Sequence, residues 1–197
     1  MRVGVLGGSF DPIHNAHLII ARLALEVLEL DRVHFVVAAE QPFKEGRHGA
    51  PAAERLRMVE LAVDRLTGFI ADGRELVRPA PSYTIDTVRE LRAEEPDSDL
   101  FLLMGSDTAA GFERWREPVA IRAMAQVAIF RRPVHDGSES AALPARWVDH
   151  EVAVPRIEIS STAIRARAAA GGSLAGWVHP AVADYIVASR LYGSGRG

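Results

Sequence analysis

Gly7-Gly8-Ser9-Phe10-Asp11-Pro12-Ile13-His14-Asn15-Ala16-His17 is the most informative run of the chain. It follows a short apolar run, Val3 to Leu6, and leads into a longer amphipathic run from about Asn15 to Leu30. Strand, glycine turn and helix in this order place the turn at the carboxyl end of a strand, where open α/β sheets bind ligands. Paired glycines let the backbone approach a phosphate closely, and the helix start offers free N–H groups and a positive dipole end. Neither the dinucleotide pattern G-x-G-x-x-G nor the Walker pattern G-x-x-x-x-G-K-[ST] occurs in the chain.

Outward from this stretch, three more apolar runs read as buried strands: Val33 to Ala38, Leu100 to Met104 and Val127 to Phe130. None alternates polar with apolar, as expected for a parallel sheet covered on both faces. Helices are predicted between them. In the first, Arg22, Glu26 and Glu29 fall at i, i+4 and i+7, one narrow solvent stripe, with Asn15 as the expected N-cap. Others are predicted over about 52–66, 84–94, 160–170 and 180–190, the last with Pro180 in its first turn. The alternation implies right-handed crossovers and an α/β doubly wound parallel sheet with C-terminal helices. Residues 40–51 hold Pro42, Gly46, Gly49 and Pro51 and read as a mobile loop; 134–145 reads as another. A single domain over 1–192 and a frayed tail over 193–197 are expected.

Composition narrows the function. The formal net charge of -3 gives no long-range attraction to nucleic acid. The absence of cysteine excludes disulfides, thiolate catalysis and Cys-ligated zinc, and fits a cytoplasmic location. The first residues enter a strand without a targeting pattern. The most apolar helical stretch, Leu18 to Leu30, is interrupted by charge, so no membrane association is expected.

His14 and His17 stand at i, i+3 around a helix start and can point the same way. Two capping or packing histidines are one reading. Zinc is a weaker one, because H-E-x-x-H, cysteine and a clear third ligand are all lacking. The third is a pair of imidazoles donating to phosphate oxygens and stabilising charge in a phosphoryl transition state. The block G-G-S-F-D-P-x-H-x-x-H resembles the nucleotidyltransferase superfamily with the H-x-G-H signature. Ala16 stands where that family usually has glycine.

Further blocks resemble one branch, the bacterial nicotinate-nucleotide adenylyltransferases. They are Pro81-Ser82-Tyr83-Thr84-Ile85-Asp86-Thr87, Gly105-Ser106-Asp107 followed by Phe112 and Trp115, Arg132-Pro133, and Ile159-Ser160-Ser161-Thr162-Ala163-Ile164-Arg165. Gln41-Pro42-Phe43-Lys44 followed by Arg55 and Arg57 is similar to a variant of that branch's P-x-K…R-x-x-M region. The pantetheine-phosphate adenylyltransferases share the first block but usually lack P-S-Y-T-x-D-T. A nucleotide-binding regulator without catalysis is disfavoured by the retained histidines and Arg165.

The resemblance implies transfer of AMP from ATP to nicotinate mononucleotide, with Mg2+ carried on the ATP and no metal ligands of the protein's own. His14, His17, Lys44 and Arg165 would be catalytic. Gly7, Gly8, Ser9, Phe10, His17, Gly105, Asp107, Arg132, Ser160, Ser161, Thr162 and Arg165 would bind ATP. Ser82, Tyr83, Thr84 and Trp115 would bind the acceptor, Trp115 by stacking on the pyridine ring. Each has a plainer reading beside it. Asp107 serves as ribose acceptor or helix N-cap; Ser160, Ser161 and Thr162 as phosphate clamp or cap cluster. Tyr83 and Trp115 are otherwise core aromatics. Lys44, Arg55 and Arg57 are otherwise solvated charges, and Lys44 is the one expected to close over phosphates. A homo-oligomer is compatible with the sequence.

Overall fold

The computed structural model describes residues 1–39, 49–131 and 145–194. Six strands form one sheet: β1 (Arg2–Gly8), β2 (Arg32–Val37), β3 (Phe69–Asp72), β4 (Asp99–Gly105), β5 (Gln126–Arg131) and β6 (His150–Ala153), in the order β3-β2-β1-β4-β5-β6. The β1–β4, β4–β5 and β5–β6 pairs run parallel, with Leu6 opposite Leu103 and Met104 opposite Ile129. The order reverses direction between β1 and β4, the mark of a doubly wound sheet and the place where such sheets take ligands. The expected buried strands are all present. β3 and β6 were not foreseen: each is an edge strand of four residues whose burial is incomplete, so neither carries a continuous apolar run.

The helices are α1 (Asn15–Val27), α2 (Ala52–Val63), α3 (Thr84–Glu94), α4 (Ser106–Ala109), α5 (Pro118–Met124), α6 (Ser161–Ala169) and α7 (Pro180–Ala188). α1 ends short of the expected Leu30, because Glu29 adopts a left-handed φ of 49°. α7 likewise stops before Arg190, which has φ 51°. α5 escaped the sequence reading because it is only seven residues long.

The chain divides into two compact units, the cut passing through β1, α1 and β2. The first comprises Met1–Gly7, Ile20–His34 and Tyr83–Arg156. Its core is the buried length of β4 and β5 with Ile85, Val88 and Leu91 of α3 and Ile121 of α5. Arg92 ties α3 to its neighbours by donating to the carbonyls of Ser98 and Met124, both at 2.5 Å. The second unit comprises Gly8–Ile19, Phe35–Ser82 and Ile157–Gly197. There Met58, Val59, Ala62 and Val63 form the buried face of α2, and the Tyr185 hydroxyl of α7 donates to Glu54 at 2.7 Å. Within the tail expected to fray, Ser194 is buried and its hydroxyl donates to the Ile186 carbonyl at 2.8 Å. Residues 195–197 lie outside the described residues.

Leu91 is fully buried. Leu91→Ala is expected to cost about 2–5 kcal/mol. At roughly 2–4 °C per kcal/mol for a chain of this size, the melting temperature should fall by at least about 4 °C in calorimetry. An unchanged melting temperature would show that α3 does not anchor the core of its unit.

Candidate active site

Within the second unit, the segment after β1 folds around Phe10. Phe10 has a left-handed φ of 47° and is almost wholly buried. That backbone is costly for a bulky residue and is held only by its surroundings. The ring meets the His17 imidazole edge-on at 5.1 Å and lies 5.7 Å from Phe35. A Cβ on Gly8 would come within 2.8 Å of the same ring, so close approach requires glycine there.

His14 and His17 stand at the start of α1, which His17 caps. His17 Nδ1 accepts the His14 backbone N–H at 3.3 Å, a side chain in the first turn reaching back to the residue before the helix. Asn15, the expected N-cap, is instead the first helical residue, and its amide donates to the Gly176 carbonyl at 2.9 Å. Because His17 Nδ1 is an acceptor, the neutral ring carries its proton on Nε2. The two imidazoles stack at 3.7 Å with 17° between planes. Burial lowers the His14 pKa to about 4, and burial with the neighbouring His14 holds His17 well below its usual range. At neutral pH the pair therefore acts as uncharged N–H donors. Among the described residues, His14 Nδ1 and Ser9 Oγ are enclosed without a hydrogen-bond partner. No group of three or more His, Asp or Glu side chains among the described residues is arranged to hold a metal ion. Ala16 is helical, so no glycine conformation is demanded at that position.

Asp11 and Arg55 organise the surroundings; from sequence Asp11 stands only within the glycine–histidine block and Arg55 only within the P-x-K…R-x-x-M-like region, neither with a site role. The plainer reading of Arg55, a solvated charge, does not hold: it is 1% exposed. Its guanidinium donates to the carbonyls of Ser9 at 2.6 Å, Ala39 at 3.0 Å and Ala50 at 3.3 Å. Burial pulls its pKa down, and the charge of Asp11 opposes that. The legible signal was periodicity: Arg55 stands at i to Met58, Val59 and Ala62 at i+3, i+4 and i+7, on the apolar stripe of α2. Arg57, off that stripe, is exposed and pairs with Glu60 at 3.0 Å, as the solvated reading requires. Asp11 is also buried. Its carboxylate accepts the N–H groups of Gly49 at 2.7 Å and Ala50 at 3.1 Å and the Tyr192 hydroxyl at 2.7 Å.

In the same unit, α6 stands over this loop. Ser160 is its N-cap, accepting the Ala163 N–H at 3.2 Å. Ser161 donates to the Pro12 carbonyl at 3.0 Å. Arg165 donates to the Asp11 carbonyl at 2.7 Å and to Thr162 Oγ1 at 3.4 Å, staying 3.8 Å from the Asp11 carboxylate. The tertiary structure thus brings His14, His17, Ser160, Ser161, Thr162 and Arg165 onto one loop–helix junction.

Within the first unit, Gly7 is next to the last residue of β1 and Gly105 ends the adjacent β4, and a Cβ on either would meet nothing within 4 Å among the described residues. Gly105, not Asp107, occupies the N-cap position of α4; Asp107 is exposed in its first turn. Trp115 is half-buried, 5.3 Å from Phe112, and Phe112 also touches Trp147 at 5.4 Å. The Arg116 guanidinium lies 4.8 Å over the Tyr83 ring, and Thr84 opens α3, whose first N–H groups have no intrahelical acceptor. Ser82, in the second unit, is buried and donates to the Glu75 carbonyl at 3.4 Å. Lys44 and Arg132 lie outside the described residues.

The histidine pair makes stability depend on pH. The unfolded chain protonates a histidine near its usual pKa of about 6.5, whereas folded His14 resists protonation until about pH 4. The unfolded state binds more protons between these values, so stability falls as pH drops through that window. Urea midpoints at pH 7 and pH 4.5 should differ less in His14→Asn than in the unsubstituted protein. An identical pH response in both would remove the histidine from the acid sensitivity.

The Cytidylyltransferase-like family model matches residues 5–167. A probable nicotinate-nucleotide adenylyltransferase of Thermus thermophilus is 44% identical, covering 98% of this chain and 100% of that protein. One of Chromobacterium violaceum is 40% identical, covering 97% and 98%. Among solved structures, Plasmodium falciparum nicotinic acid mononucleotide adenylyltransferase complexed with NaAD superposes with a TM-score of 0.74 at 18% identity, covering 100% of this chain and 99% of that one. At that identity the likeness supports the fold. With full-length relatives at 40% and 44% identity and the glycine–histidine loop in place, the chain belongs to the nicotinate-nucleotide adenylyltransferase family.

Proposed function

We propose that this protein transfers AMP from ATP to nicotinate mononucleotide, giving nicotinate adenine dinucleotide and pyrophosphate, a step of NAD biosynthesis. An oxygen of the acceptor phosphate attacks the α-phosphorus of ATP, the bond to the β-phosphate oxygen breaks, and pyrophosphate leaves. That acceptor oxygen is an anion at neutral pH, so no strong general base is needed; the protein positions the reactants and stabilises charge. The substrate assignment is supported by relatives of that name along the full chain. The chemical step is supported by one observation above all. His17 Nδ1 is taken by the His14 N–H, which leaves Nε2–H of an uncharged ring as a fixed donor for phosphate oxygens.

In this reading His14, His17, Arg165 and Lys44 stabilise the transferring phosphates. The backbone at Gly7, Gly8 and Gly105 lets the nucleotide approach, with Ser9, Phe10, Asp107, Arg132, Ser160, Ser161 and Thr162 as further ATP contacts. Ser82, Tyr83, Thr84 and Trp115 receive the acceptor, Trp115 stacking on the pyridine. Magnesium enters with its substrate as MgATP. No helix among the described residues is long and apolar enough to cross a membrane; we place the enzyme in the cytoplasm, acting on small nucleotides rather than nucleic acid. A single domain over 1–192 carries the whole activity.

Pyrophosphate release from MgATP should require nicotinate mononucleotide and should not be supported by pantetheine phosphate. The reverse result would move the chain to the pantetheine-phosphate branch. His17→Ala should lower kcat roughly a hundred- to a thousand-fold, the usual cost of losing one transition-state donor, with the KM for ATP changed far less. Full turnover in a stably folded His17→Ala protein would refute the catalytic role.

A further inference from the structure

The C-terminal turn Leu191–Gly193 sends one side chain into the loop after β1. Tyr192 takes a left-handed φ of 59°, and its hydroxyl donates to Asp11 Oδ1 at 2.7 Å. Asp11 Oδ1 also receives the Ala50 N–H at 3.1 Å, and Oδ2 receives the Gly49 N–H at 2.7 Å. Gly49 is wedged in place: a Cβ there would lie 2.8 Å from the Arg165 side chain and 3.0 Å from the Tyr192 ring. The same glycine thus touches both the tyrosine and the arginine.

Arg165 stands beside a buried carboxylate but does not pair with it closely. Its Nη1 bonds the Asp11 main-chain carbonyl at 2.7 Å and remains 3.8 Å from Oδ2. An arginine next to an unsaturated carboxylate ordinarily forms a bidentate pair at about 2.7–2.9 Å. Here Oδ1 already takes two donors, the Tyr192 hydroxyl and the Ala50 N–H, and Oδ2 takes one, so a fork that needs both oxygens has no free site on Oδ1. We propose that Tyr192 is a positioning residue for phosphate binding: by donating to Asp11 it keeps that carboxylate from capturing Arg165, so the guanidinium stays available to the nucleotide. Burial and the adjacent Asp11 charge push the Tyr192 pKa up, so its hydroxyl remains a donor throughout the working pH range. This inference rests on Arg165 being a phosphate ligand.

In Tyr192→Phe the ring that packs on Gly49 is kept and one donor to Oδ1 is lost. Arg165 then closes on the carboxylate, and its charge is partly neutralised. The test is a coupling cycle on the full chain, reading the Kd for ATP by calorimetry together with the melting temperature of each variant. Tyr192→Phe should weaken ATP binding about five- to tenfold, as expected for roughly 1 kcal/mol. Arg165→Ala should weaken it at least as much. The double variant should bind no more weakly than Arg165→Ala alone, because with no guanidinium to capture the tyrosine has nothing to protect. A purely structural tyrosine lowers the melting temperature and adds its effect to that of Arg165→Ala, and additivity would overturn the proposal. So would an unchanged Kd in Tyr192→Phe while Arg165→Ala binds weakly. If Arg165→Ala itself leaves the Kd unchanged, Arg165 is not a phosphate ligand and the premise fails with it, an outcome separable from the other two.

Discussion

Burial of the Arg55 guanidinium is the constraint on which the second unit depends. A charge taken out of water costs several kcal/mol unless its hydrogen bonds are replaced. Arg55 replaces them with carbonyls from three separate segments: Ser9 after β1, Ala39 after β2 and Ala50 before α2. Asp11 supplies the opposite charge and reads the complementary polarity, accepting the N–H groups of Gly49 and Ala50. One residue thus gathers carbonyls and the other gathers N–H groups, so the loop bearing the histidines is fixed by the main chain around it. A surface ion pair could not do this, since exposed pairs contribute about 0–1 kcal/mol and hold little geometry.

The two histidines of this loop are kept uncharged. Two imidazoles stacked at 3.7 Å cannot both be protonated cheaply, and burial opposes protonation of either. A neutral pair offers directed N–H donors without the reorganisation that a titrating cation would bring near an incoming anion. The fixed positive charge comes from arginine, which does not titrate in the working range. The division of labour is therefore one of permanence. Arginine provides charge, while the histidines provide direction, His17 with its ring held by the helix start and by Phe10 and His14 stacked upon it.

Much of this was legible from residue order. Fully buried parallel strands are continuous apolar runs, so β1, β2, β4 and β5 stand out in the sequence. The glycine–histidine block marks the end of β1, because phosphate approach and helix entry demand small residues and capping groups in a fixed order. Short edge strands such as β3 and β6 bury little and leave no such run. The plainer reading of Arg55, a solvated charge, fails for a related reason. Charge in a sequence suggests solvent, and only its place on the apolar stripe of α2 hinted otherwise.

Sheet class, element order and the chemical types gathered after β1 are all readable from residue order. These are local properties: periodicity, turn chemistry and capping act over a few residues. Only the tertiary structure decided which partner each of these groups meets. Tyr192 lies 181 positions from Asp11, and Ser161 lies 149 from Pro12. No local rule sets whether Asp11 Oδ1 is already taken by distant donors, or whether Arg165 is held by a carbonyl rather than a carboxylate. Those outcomes follow from packing distant segments together, where each buried polar group must find whatever donor or acceptor the fold brings within reach.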